Sequence, residues 1–300
     1  MASKEFILQA LKERIRIDGR KWHERRPLKY SFHKDSVIVQ SCGTIVSCRT
    51  TVRVGVPSPF RPRAGVLSLS ISLSQQCIDD ENTDRDMIRD VLTSAFQGRS
   101  CAVDLESLVI KPHKMCFIIS LDIRIMRNMG SVCSVAIAAG TAGLMNARVP
   151  YWEMVQEEVT NDDGNIITRD RVKIFEEKER IPNPITLIMT PFGSEFCYLL
   201  PEAVGSIPEP YVIDPLIEET KLAENTLICV CNAQKELIGM RVCGGTGIKI
   251  DSMGDIVDIA GEFAREERRR VSDILKEVEA ERKRVFEELY VDKDRVCPVK

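Results

Sequence analysis

The sequence predicts an α+β fold in which a run of strands leads into a helix and the same order then repeats. Three observations carry this. Residues 67–74 alternate Leu67, Leu69, Ile71 and Leu73 strictly with serines, the two-residue period of a half-buried strand. Residues 84–97 set Met87, Ile88, Val91, Leu92, Ala95 and Phe96 on one helical stripe. Beyond residue 183 a second set of strand-like segments leads into a long terminal helix. The expected halves are residues 1–182 and residues 183–300, each of mixed sheet packed with helices.

Taken in order, residues 6–17 place Phe6, Ile7, Ala10, Leu11 and Ile15 at helical spacing, and Asp18-Gly19-Arg20 supplies the stop. Strands follow at 36–39, 43–56 and 67–74. The segment joining the last two holds Pro57, Pro59, Pro62 and Gly65, so it must be a loop, and it carries Arg61 and Arg63. The helix at 84–97 ends at Gly98, and strands are expected at 108–110 and 117–126. The small-residue run 134–146 reads as a buried helix lying close against a sheet. Residues 151–183 are polar and charged, with a turn signal at 161–165 and Pro182 and Pro184 at the close, which marks a linker. Strands are then expected at 185–190, 195–199, 211–213, 226–232 and 237–243, followed by a glycine-rich turn at 244–247. A helix over about 252–289 has Phe263, Val271, Ile274, Leu275, Val278, Val285 and Leu289 at helical spacing, with mixed charges on its other faces. One face packs, and the far end is free to reach a neighbour.

Composition narrows the function classes. A chain of 300 residues with 44% hydrophobic and 29% charged content can bury one large core or two moderate ones. A net charge of -3 argues against a surface that coats nucleic acid all over, so any such contact must be local, through a few arginines. No apolar run approaches the roughly 20 residues of a membrane span, and Met-Ala-Ser-Lys-Glu lacks a secretory signal's apolar core, so no membrane role is expected. Eleven cysteines without regular spacing read as reduced thiols rather than a disulfide framework. Cys229 and Cys231 share a strand face, but no second pair or nearby histidine completes a zinc site, so core packing is the reading. His23, His33 and His113 are scattered. The turn at 244–247 lacks the lysine of a phosphate-binding loop. Neither a metal nor a cofactor is expected.

Four stretches together resemble the ribonuclease PH family: RIDGR at 16–20, GTIVSCRTTV at 43–52, VDLESLVI at 103–110, and the long segment YVIDPLIEETKLAENTLICVCNAQKELIGMRVCGG at 211–245. Their shared order over nearly the whole chain is more specific than any one of them. Within the family the chain looks most like the RNA exosome ring subunit of the polymyositis-scleroderma autoantigen type, related to the non-catalytic subunit of the archaeal ring. The resemblance implies the ribonuclease-PH-like fold and a ring around a channel for single-stranded RNA. It also implies other ribonuclease-PH-like subunits, RNA-binding cap subunits and an associated hydrolytic nuclease as partners. The processing and turnover of RNA in nucleus, nucleolus and cytoplasm follow from the same likeness.

Active relatives attack the terminal RNA linkage with inorganic phosphate. That chemistry needs a cationic or N–H-rich cradle for the phosphate and acids for the leaving oxygen. Glu218 and Glu224 stand at positions matching the family's acids, six residues apart, with Glu where active members carry Asp. The extra methylene displaces the carboxylate by more than about 1 Å, which can cost roughly a hundredfold. The plainer alternative is a solvated acidic turn. Active members open their small-residue helix with a Gly-Gly-Thr-Arg-like turn, matched here by Met129-Gly130-Ser131-Val132-Cys133-Ser134. The arginine's place falls at Cys133 or Ser134, neither of which offers a charged fork. A non-catalytic, RNA-holding subunit is therefore expected, with an active phosphate-dependent 3′-to-5′ exoribonuclease as the alternative. Arg61 and Arg63, on a loop that relatives use near the channel entrance, are the expected RNA contacts. Arg85 and Arg89, one turn apart on a helix that carries phosphate-binding arginines in active relatives, are further candidates.

Overall fold

The computed structural model describes residues 4–78, 84–98, 101–160, 166–175, 180, 182–200, 211–245, 248 and 253–286. The first helix, α1 (Lys4–Lys12), stops earlier than its apolar spacing predicts. Arg14 takes the left-handed conformation (φ 60°), while the Ile15 and Arg14 N–H groups donate to the Ala10 and Leu11 carbonyls at 2.9 Å. These are the paired bonds of a helix end that glycine usually provides, here closed by an arginine. Gly19 (φ 78°) belongs to the separate turn that follows.

The first sheet comprises β1 (Lys29–Phe32), β2 (Ser36–Ser41), β3 (Thr44–Gly55), β4 (Val66–Leu73), β5 (Val109–Lys111) and β6 (Met115–Arg127). Its order is β1-β2-β3-β6-β4, with β5 also on β6. All pairs are antiparallel except β4 with β6. A parallel pair needs a crossover, and α2 (Gln75–Ile78) and α3 (Arg85–Gln97) lie within it. Asp84 caps α3 by accepting from the Asp86 and Met87 N–H groups at 3.0 Å. Gly98 ends that helix without a positive φ. It is needed for room, since a Cβ there would lie 2.4 Å from the Ser94 carbonyl oxygen.

The small-residue run forms α4 (Val132–Asn146), apolar all round and buried along almost its whole length. It lies between the first sheet and the second, touching β2, β3 and β6 on one side. Its glycines permit this approach: a Cβ on Gly140 would lie 2.5 Å from the Phe96 ring, and one on Gly143 would lie 2.7 Å from Cys48 Sγ.

The expected linker is instead strand-forming. After β7 (Arg148–Val149), β8 (Trp152–Thr160) and β9 (Ile166–Ile174) pair in register as a long antiparallel hairpin, and β10 (Asn183–Pro184) returns to pair with β7. Composition concealed it, because the hairpin forms a sheet of its own and lacks the apolar alternation of a strand half-buried in a core. The expected turn at 161–165 lies outside the described residues. The stretch expected as a strand at 185–190 makes only an isolated bridge, Leu187 with Val103.

The second sheet is antiparallel in the order β12-β11-β13-β14. It contains β11 (Phe192–Leu199), β12 (Tyr211–Ile213), β13 (Ala223–Cys231) and β14 (Leu237–Gly244), with the short α5 (Ile217–Thr220) between β12 and β13. It closes over the other side of α4 through β11. Helix α6 (Met253–Phe286) packs on β11 and β13 and buries Ile256, Ala260, Ala264, Val271 and Leu275 in the core. The far end of α6 docks on its own chain rather than standing free: Arg282 donates to Asn146 Oδ1 at 2.9 Å, and Arg148 pairs with Glu279 at 3.5 Å. Leu289, Thr246 and Gly247 lie outside the described residues. One core cluster runs from Leu28 to Leu275 across both sheets, and a smaller one joins Ile7 and Leu11 of α1 to Cys197, Leu199, Val212 and Leu222.

Candidate functional site

Three of the four sequence stretches singled out above meet at the start of α4. Asp214, in the left-handed conformation (φ 53°), is the hub. Its carboxylate accepts a fork from Arg26 at 2.6 and 2.8 Å, the Arg26 backbone N–H at 2.7 Å, and Arg20 at 3.1 Å. Burial works to raise its pKa, but the Arg26 bonds and charge outweigh that and hold it below the usual carboxylate range. Arg16 forks onto Glu219 at 2.9 and 2.7 Å and also donates to the Ile213 and Asp214 carbonyls at 2.9 Å, with both side chains fully buried. Thr44 Oγ1 donates to the Gly130 carbonyl at 2.8 Å and accepts from the Met129 N–H at 3.0 Å, fixing the turn before α4. Gly130 is required there, because a Cβ would lie 2.2 Å from the Pro215 carbonyl oxygen.

The N-terminus of α4 holds a carboxylate of the chain itself. Ser131 sits before the helix in a left-handed conformation and makes no side-chain cap. Glu195, from the middle of β11, accepts the Ser134 N–H at 2.9 Å and is also held by the Cys133 N–H. Free N–H groups at a helix start form an anion site, and Glu195 fills it. Burial drives its pKa up to about 7, against the opposing pull of those N–H bonds. Cys133 and Ser134, one of which the sequence resemblance puts in an arginine's place, are both buried. The cavity left between Arg25, Arg26, Ser134, Asp214 and Phe263 is about 10 Å³, barely the ~10–15 Å³ that one water requires. Arg25 lies over the Phe263 ring at 4.1 Å, its Nη2 buried without a hydrogen-bond partner, and burial lowers its pKa to about 10.

The sequence-named residues divide between two places. Glu218 on α5 and Glu224 on β13 are half-buried, but the acid used by the architecture is Glu219, next to Glu218. Arg85 and Arg89 are exposed on α3, whose Met87 touches Cys133, and Arg85 reaches the Ile71 carbonyl at 3.4 Å. Arg61 and Arg63 line a separate, open depression of about 730 Å³ together with Ala64, Val103, Leu105 and Ile188. Among the described residues, no group of three or more His, Cys, Asp or Glu side chains could hold a metal, and no helix is long and apolar enough to cross a membrane. Cys229 and Cys231 lie buried with their sulfurs 3.8 Å apart. Sequence reasoning missed Glu195. Its signal was a lone carboxylate within the otherwise uncharged stretch Phe192–Leu199.

No family model matches the chain. It is 25% identical over 249 residues to the exosome complex component rrp45 of Schizosaccharomyces pombe, covering 81% of this chain and 79% of that protein. It is 24% identical over 283 residues to the exosome complex component Rrp42 of Pyrococcus furiosus, covering 91% of this chain and 93% of the other. A chain in the structure of the Archaeoglobus fulgidus exosome with RNA bound to the active site superposes with a TM-score of 0.67 at 20% identity, over 89% of this chain and 96% of that one. The α+β fold expected from the sequence is the fold of that exosome chain.

Proposed function

We propose, taking kinship with exosome components as the premise, that this chain is a ring subunit of an RNA exosome that holds RNA and partner subunits without cutting RNA itself. Glu195 on the α4 N-terminus is the observation that supports it. A phosphorolytic site must leave those N–H groups open to inorganic phosphate and add a fixed cation. Here a carboxylate takes the N–H groups, the nearby Arg26 is engaged by Asp214, and about 10 Å³ of space remains. Phosphate arriving there would find those N–H groups already taken and the cavity closed. Glu218 and Glu224 keep the charge of the family's acids but have no phosphate cradle to work with. The partners this reading carries are other ribonuclease-PH-like ring subunits, RNA-binding caps, a hydrolytic nuclease and single-stranded RNA, in nucleus, nucleolus and cytoplasm.

The test is an assay of the purified chain, alone and in its complex, with 5′-labelled oligoadenylate, magnesium and inorganic phosphate. The expected outcome is no phosphate-dependent shortening attributable to this chain, and no change in the complex on Glu218→Gln or Glu224→Gln. Shortening that requires phosphate and disappears with those variants would establish the exoribonuclease alternative.

A further inference from the structure

The second sheet gathers sulfur that neither the fold nor the RNA reading uses. Cys229 and Cys231, two residues apart on β13, point to the same face, and their side chains converge until the sulfurs lie 3.8 Å apart. A register shift against β14 falls between Val230 and Cys231, so the strand is irregular at the pair. Met240 of β14 stands directly opposite Cys229 on one side, and Ser194 of β11 stands opposite it on the other. Opposed residues of an antiparallel pair share a face, with Cβ atoms about 4.5–5.5 Å apart, so a thioether and a hydroxyl border the thiols. Helix α6 closes the face. Cys231 Sγ donates to the Val257 carbonyl at 3.9 Å, and Ile256 and Ala260 beside it are fully buried, as are both cysteines.

Core packing leaves two polar atoms here unexplained. Ser194 Oγ and Arg25 Nη2 are buried with no hydrogen-bond partner. Ser194 is the register neighbour of Cys229, and Arg25 lies close enough for its charge to act on both sulfurs. Asp214, the carboxylate that acts most on Arg25, is already taken by the Arg26 fork and by Arg20. A buried guanidinium without an anion of its own is costly, and thiols that keep their protons supply none.

We infer that Cys229, Cys231 and Met240 form a three-sulfur site for a soft monovalent metal ion, Cu(I), with Arg25 as its counter-charge. Thiolate and thioether donors select Cu(I), whereas zinc takes four ligands, and no third His, Cys, Asp or Glu joins the pair among the described residues. Loading breaks each S–H bond and forms an S–Cu bond in its place, the protons leave to solvent, and copper stays monovalent throughout. Two thiolates and one Cu(I) carry a single net negative charge, which the guanidinium balances. Burial that shields these thiols from oxidants suits an ion enclosed as the chain folds. Such a closed site is structural and ties β13 and β14 together under the start of α6.

The experiment titrates the reduced full-length chain, without oxygen, with Cu(I) held by the coloured chelator bicinchoninate. Wild type should withdraw one equivalent per chain, and X-ray absorption at the copper edge should show a shell of sulfur alone. Cys229→Ala and Cys231→Ala should each abolish the withdrawal. Met240→Leu, which keeps the side-chain volume and so stays informative if an alanine variant does not fold, should remove one sulfur from the shell. Arg25→Met should weaken binding by about 10- to 100-fold, the range for a lost outer partner of a metal site. Cys42→Ser, at an exposed thiol, should change nothing. A wild-type chain that takes no copper from the chelator overturns the site. So does copper that survives both alanine changes, a shell unchanged by Met240→Leu, or binding lost with Cys42.

Discussion

The centre at the start of α4 and the depression at Arg61 both gather arginines and carboxylates, yet they are built to opposite ends. At the centre the main cationic forks close on carboxylates of the chain: Arg16 on Glu219, Arg26 on Asp214, and the helix N-terminus on Glu195. About 10 Å³ is left open. At the depression the charges face solvent, the walls are fixed by backbone bonds, and about 730 Å³ stands open. In this chain the arginines around the start of α4 serve internal structure, and the exposed loop keeps its charge free.

The largest effect is expected at Arg16 and Glu219. Removing one partner of a buried pair strands the other, so Glu219→Ala should cost about 3–5 kcal/mol in urea unfolding. The double change Arg16→Met with Glu219→Leu should recover much of that, since no charge is then left alone. An equal loss in both variants would show that packing, rather than the stranded charge, sets the cost.

Next in size is the pH response of Glu195. Its folded pKa, about 7, stands above the usual 4.5, so the folded state holds the proton more tightly. Stability from this group is therefore full below about pH 4.5 and falls as pH rises to about 7, by an amount on the order of 3 kcal/mol. Glu195→Gln should flatten that slope and leave the variant the more stable at pH 8. Asp214, held below its usual value, acts in the opposite sense, its contribution disappearing as pH falls below the ordinary carboxylate range. The two groups thus act in separate windows, and a slope between pH 5 and 7 that persists in Glu195→Gln would remove Glu195 as its source.

Much of the fold is legible in the sequence because its signals are local. The alternation over 67–74 and the stripe over 84–97 become β4 and α3 nearly residue for residue, since one face of each is buried. The hairpin β8–β9 reads as a linker because charged strands that form their own sheet show no core-facing period. Helix α1 reads too long, since nothing in its apolar spacing says that Arg14 takes a positive φ. For the candidate site, Arg61 and Arg63 are visible as arginines on a proline-rich loop. Glu195 is not, since its meaning depends on a helix end 61 residues away in the chain. The acids are half legible: the segment is right, but which glutamate is buried depends on where Arg16 reaches.

The smallest effect on folding is expected at the open depression, and that smallness sharpens the contrast. Arg61→Ala and Arg63→Ala remove exposed side chains from a loop held by backbone bonds, so unfolding stability should change by no more than about 0.5 kcal/mol. RNA binding by the complex should nonetheless weaken. For every phosphate that an arginine no longer neutralises, the slope of log affinity against log salt should shrink by about 0.7, the single-strand value. The measurement is a salt titration of labelled oligonucleotide with the complex, beside urea unfolding of the same variants. Unchanged affinity and slope would place these arginines with the architecture after all. A large drop in stability would say the same by another route, because a side chain kept free for a ligand contributes little to the fold.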